Sequence, residues 1–292
     1  MKSWKIGAIA GLIAGIMPGI VYTIFMQIAV SMGLYDSQFP IPTVAQNAYG
    51  ANILLSVIFG AICGIIYSRA YFVIPGKGIS KSILYILILW LISWIRMATF
   101  AAAYGFYLNS VTYIFADFFR WITYGLLLGI LYEYILSKYY PAKKELRIVT
   151  YSLWSGVIPG AIAGFLGGIA ASIVNFVSFI IGLFGPQVMP GAPGKLIMDF
   201  WISQTGGHLE LNLVWGAVFG VIFTQVYNLV PKEGIRKGLY YSLIIFLLGT
   251  FHTELYWLVW GYASLFVWGV PVGFFQAIVF GIVLGYFYKP KR

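Results

Sequence analysis

Long apolar runs make up most of this chain, and its polar positions gather in short clusters between them. The runs cover residues 6–32, 51–72, 82–107, 113–137, 148–183, 211–230, 238–262 and 265–288. A helix needs about 20 apolar residues to cross the hydrocarbon of a bilayer, and every run reaches that length. The pattern predicts an all-α polytopic membrane protein with eight transmembrane helices. The fifth run is so long that its helix must tilt, protrude or break. Pro18 and Pro159 predict kinks in the first and fifth helices.

The strongest polar interruption is KYYPAKKELR at 138–147, where Pro141 prevents one helix from running through. It separates a first half, 1–140, from a second, 148–292, with 141–147 as a hinge. In the first span of each half Gly7, Gly11, Gly15 and Gly19 match Gly156, Gly160, Gly164 and Gly168, a spacing of 149. In the second span Asn52, Phe59, Gly60 and Tyr67 match Asn212, Phe219, Gly220 and Tyr227. From there Pro75, Gly78, Ile79, Lys81, Gly105, Gly125, Gly129 and Tyr132 recur 156 residues later, from Pro231 to Tyr288. Each half holds an even number of spans, so the expectation is two parallel four-helix repeats related by an axis along the membrane normal.

Positive charge orients the helices. Fifteen of the eighteen Lys and Arg residues lie at the termini, between the second and third spans, in the hinge, or between the sixth and seventh spans. The opposite loops hold Lys195 alone, beside Asp36, Asp199 and Glu210. That asymmetry predicts that both termini and the hinge face the cytoplasm. The opening MKSWKIGAIAGLIAG resembles a signal peptide, but its apolar run continues to Met32, which favours a retained first helix.

Composition supports the bilayer as the chain's partner. The chain is 61% hydrophobic and 9% charged, against about a quarter charged for soluble domains. A net charge of +10 is one reason to consider nucleic acid. Its placement in loops beside apolar runs fits a membrane surface instead, so no nucleic-acid partner is expected. Cys63 is the only cysteine, and a single cysteine allows neither an internal disulfide nor a thiolate metal cluster. Glycines at four-residue spacing weaken an isolated helix, and in lipid they allow close backbone approach. Such faces could join the helices of this chain or dock helices of a partner subunit.

Charges inside membrane spans are costly and require a reason. Arg96 lies in the third span, Asp117 and Arg120 in the fourth, and His252 and Glu254 in the seventh, while Glu133 falls near the cytoplasmic end of the fourth. Counting at 1.5 Å per residue puts Arg96 and His252 about 22 Å from the cytoplasmic boundary, and the other three somewhat farther out. These five residues are the candidate solute-binding set, placed between the repeats in the outer half of the membrane. Asp117 and Arg120, one turn apart, can equally form a structural pair. Arg96 and Glu254 are expected to pair across the repeats.

His208 and Glu210, and His252 and Glu254, form two His-x-Glu triplets that raise a metal or haem site. Residues two apart on a regular helix point about 200° away from each other, so the second triplet can chelate one ion only where the helix is broken. No phosphate-binding loop or nucleophile motif occurs, and neither a cofactor nor an enzyme activity is expected. The leading expectation is a transporter or permease-like protein for a small polar or anionic solute. The alternatives are a non-catalytic subunit of a larger membrane complex and an outer-face metal, haem or lipid enzyme.

Overall fold

The computed structural model describes residues 3–35, 44–72, 74–91, 99, 107–139, 152–181, 209–261 and 263–289, and their regular structure is entirely helical. Among the described residues, seven helices are long and apolar enough to cross a membrane: Ser3–Ser31, Tyr49–Ala70, Val111–Ile135, Trp154–Ser178, Leu209–Val226, Gly234–Val259 and Phe266–Phe287. The architecture is that of a multi-pass membrane protein. A further apolar helix, Ile79–Trp90, occupies the start of the expected third span. Most of that span beyond residue 91, the hinge, and the expected outer loops at 36–43 and 182–208 lie outside the described residues. Two compact units are formed, Met1–Ile148 and Val149–Arg292.

The first unit contains α1 (Ser3–Ala14), α2 (Ile16–Ser31), α3 (Tyr49–Ala70), α4 (Ile79–Trp90) and α5 (Tyr107–Tyr139). α1 and α2 are one apolar rod interrupted at Gly15, where Pro18 cannot offer Ala14 the N–H of a regular helix. Large apolar residues point outward along this rod, among them Ile9, Leu12, Ile24 and Ile28. Its buried face is smaller and more polar, with Gly7, Gly11, Ala14 and Thr23. Water would penalise that arrangement, whereas lipid accepts it. The small face lets α1 and α3 run antiparallel with backbones touching: a Cβ placed on Gly7, Gly11 or Gly15 would come within 3.0 Å of backbone atoms of Gly64, Gly60 or Ser56.

The second unit contains α6 (Trp154–Ile180), α7 (Leu209–Val226), α8 (Gly234–Phe246), α9 (His252–Val259) and α10 (Ala263–Phe287). Pro159 lies inside α6 and Pro271 inside α10. A Cβ on Gly156, Gly160 or Gly164 would overlap backbone of Gly220, Gly216 or Asn212 in α7. α8 and α10 meet through Gly238, Gly281 and Gly285 in the same way. The expected seventh helix is not uniform, because a π turn, Leu247–Phe251, joins α8 to α9.

Lysines close two of the helix ends. Lys81 Nζ donates to Tyr71 O at 3.0 Å and stands 4.5 Å from the centre of the Tyr71 ring. Lys237 Nζ donates to Tyr227 O at 2.9 Å, with its ring centre at 3.9 Å. A cation there satisfies a terminal carbonyl and complements the negative end of the helix dipole. Both lysines are buried, so these two basic residues are built into the helix ends and do not lie free in a loop.

Candidate functional site

Ionisable residues inside the candidate spans are resolved in two different ways. In the first unit, Asp117 and Arg120 are one turn apart on α5, and Arg120 Nη2 lies 2.7 Å from Asp117 Oδ1. Asp117 is 0% exposed and Arg120 3%. The guanidinium also stands 5.0 Å from the Tyr22 ring centre and 5.4 Å from that of Trp121. The two charges balance each other beside two aromatic faces. In the same unit, Asn52 Nδ2 donates to Thr23 Oγ1 and to Ala45 O, both at 2.9 Å.

Glu254 in the second unit has a different setting. It is 8% exposed and lies in the first turn of α9, inside the candidate span Gly234–Val259. Its carboxyl rests in the notch left by Gly269 of α10, where a Cβ would overlap it. One turn earlier in the chain, Thr250 fills the corresponding notch at Gly273. The methyl of Thr250 and the carboxyl of Glu254 thus lie antiparallel along two glycines four residues apart. Among the described residues, no Lys, Arg or His lies within ion-pair distance of Glu254.

His252 is also buried but faces elsewhere, its ring edge-on to Tyr256 at 5.2 Å. His252 and Glu254 therefore do not converge on one point, even though the helix changes geometry at the π turn just before them. Glu210 is exposed in the first turn of α7, where a carboxylate suits the positive end of a helix. His208, its expected metal partner, and Arg96, the expected partner of Glu254, lie outside the described residues. Among the described residues, no group of three or more His, Cys, Asp and Glu side chains could hold a metal ion.

Several polar contacts were not anticipated from the sequence. Gln276 Nε2 donates to Asn212 Oδ1 at 2.6 Å, joining α10 to α7. Tyr85 and Tyr124 donate to the carbonyls of Cys63 and Gly60 on α3, at 2.9 and 2.6 Å, and Tyr241 donates to Phe219 O on α7 at 2.6 Å. Tyr71 donates its hydroxyl to the Glu133 carboxylate, which gives that half-buried acid a local partner. The amide and phenol side chains themselves were visible, but no spacing rule gives their partners. Comparison with family models, curated proteins and solved structures finds no match to this chain.

Proposed function

We propose that the chain is a permease-like membrane protein for a small polar solute and that Glu254 is its working charge. The observation that carries this reading is the setting of Glu254: buried in a candidate span, cradled by a glycine, with no cation paired to it among the described residues. A charge left open at membrane depth costs stability and is retained where an ion or solute passes. The π turn immediately before α9 supports the same reading, since such turns occur disproportionately at functional sites. Arg120, the other candidate for an anionic solute, is already engaged by Asp117, which moves the favoured solute class from anions towards cations, amines and proton-linked polar molecules.

Two parallel repeats with cytoplasmic termini complete the proposal. Lys81–Tyr71 and Lys237–Tyr227 make the same contact 156 residues apart. Tyr67 and Tyr132 have ring centres 5.1 Å apart at 75°, as do Phe223 and Tyr288. The contacts of Gly60 and Gly64 correspond to those of Gly216 and Gly220. This favours a spacing of 156 through the second span as well, one helical turn away from the match of Asn52 with Asn212. The length difference between the halves then falls in the loop between the first and second spans. The fifteen-residue positive bias supports the orientation. The alternative of a docking subunit loses its main support, because the glycine faces that would receive partner helices meet other helices of their own unit.

A thermal-shift screen of inorganic cations, amines, anions and neutral polar solutes, run on purified wild type and Glu254→Gln, tests the function. Any hit is then followed by flux into proteoliposomes. The expected hit stabilises wild type, fails to stabilise the variant and crosses the membrane only with the wild-type protein. A hit that acts equally on both proteins overturns the role of Glu254.

A further inference from the structure

The elements that carry Glu254 and its notch limit what it can bind. Phe274, Phe246, Phe251 and Phe266 form a row of rings along the π turn and the facing stretch of α10, with neighbouring ring centres 5.7 to 6.3 Å apart. The π turn has no titratable residue, and the only one on α10, Tyr286, is seventeen residues beyond Gly269, about 25 Å along the helix. On α9 itself the titratable neighbours are His252 and Tyr256, which pack on each other. The basic and phenolic residues of α8, from Arg236 to Tyr241, precede Glu254 by thirteen residues or more, about 20 Å. Thr253, the adjacent hydroxyl, is committed to Gly249 O at 3.0 Å.

A sodium or calcium ion needs six or so oxygen ligands, far more than the one carboxylate held at the Gly269 notch provides. A proton needs only the carboxylate. An ionised carboxylate without a partner in apolar surroundings is strongly disfavoured, and protonation removes the charge without requiring any other group.

We propose that Glu254 in its Gly269 notch is a reversible proton-binding site, and that the solute movement assigned to this chain is linked to protons. This rests on the permease reading only for its link to transport. Release breaks the carboxyl O–H bond, leaves the electron pair on oxygen and passes the proton to water; uptake reverses each change. Gly269 is a positioning residue, since its missing side chain is what lets the carboxyl lie against α10.

The test is an infrared titration of the full-length protein in lipid nanodiscs, following the carbonyl band of protonated carboxyl groups. Wild type, Glu254→Gln, Gly269→Ala and Asp117→Asn are compared, the last to identify the band of the other buried carboxyl. The expected result is one band lost in Glu254→Gln, kept in Asp117→Asn and moved in frequency and midpoint by Gly269→Ala, whose Cβ displaces the carboxyl. Exchanging sodium for choline at constant ionic strength should leave the midpoint in place.

A band unaffected by Glu254→Gln and Gly269→Ala in folded protein overturns the proposal. So does a midpoint that follows sodium, which would make the site a metal-cation site. If Glu254→Gln does not fold, the Gly269→Ala shift decides alone. A titrating Glu254 in a protein that moves no solute removes the permease reading and leaves the proton site standing. Flux without a titrating Glu254 does the reverse.

Discussion

Replacing Gly11 by alanine adds one methyl group where α1 and α3 leave no room for it. A Cβ built there overlaps the Gly60 carbonyl oxygen and lies 2.9 Å from both the Gly60 carbonyl carbon and the Gly64 Cα, against 3.4–4 Å for ordinary contact. All these neighbours are backbone atoms, so no side chain can rotate out of the way. Relieving the contact moves the two helices apart by roughly 0.5–1 Å, which forfeits about a quarter to a half of the attraction at each atom pair along the seam. Overpacking typically costs ~1–3 kcal/mol, and a rigid backbone neighbour places this case near the upper end. Alanine returns ~1 kcal/mol through its better helix propensity. The net loss is therefore ~2 kcal/mol, or roughly 4–8 °C in apparent unfolding temperature. Gly50→Ala is the control, because nothing lies within 4 Å of that position and it sits in the first turn of α3. It should be neutral or gain up to ~1 kcal/mol. Both variants are read by circular dichroism melts in one detergent. Equal melting of Gly11→Ala and Gly50→Ala would refute the close approach of α1 and α3.

Further outcomes follow from other contacts. Asp117→Asn and Arg120→Gln each strand a buried partner and should cost ~3–5 kcal/mol, with the double variant recovering much of the loss; strictly additive losses in that cycle would refute the pairing. Lys237→Met removes a charged hydrogen bond from a helix end and should lower stability by ~1.5–3 kcal/mol, seen as earlier melting, with Lys237→Arg losing less. Lys232 has φ 73°, a left-handed conformation unfavourable to a side chain, so Lys232→Gly should raise the melting point, by ~1 kcal/mol in stability. Cysteine introduced at Asp36 or Thr205 should react with an impermeant thiol reagent on intact cells, and cysteine at Lys144 or Lys232 should not; the reverse pattern would invert the orientation.

Membrane character was legible from the sequence because it depends on long-run composition, and seven of the apolar runs correspond to helices long enough to span. The Asp117–Arg120 pair was legible too, since a three-residue spacing puts both side chains on one helical face. The π turn at Leu247–Phe251 was not, because hydropathy does not register one extra residue in a helical turn. Just beyond that turn Glu254 meets Gly269 of α10, while His252 packs on Tyr256 one helical turn ahead in the same helix. Lys81 and Lys237 counted as loop charges because a basic residue next to an apolar run looks the same whether it is solvated or folded back on a carbonyl. The partner expected for Glu254 was Arg96, from its depth and from the equivalence of the third and seventh spans in the repeat. That residue lies outside those described.

Glu254 is the point on which the account turns, and proton movement in proteoliposomes tests it most directly. Vesicles with a trapped pH-sensitive dye are prepared with wild type or Glu254→Gln at matched protein content, and each solute that stabilises the wild-type protein is added outside. The account predicts an internal pH change that accompanies solute entry in wild-type vesicles and is abolished in Glu254→Gln vesicles. Solute entry and pH change of equal size in both sets of vesicles would contradict it.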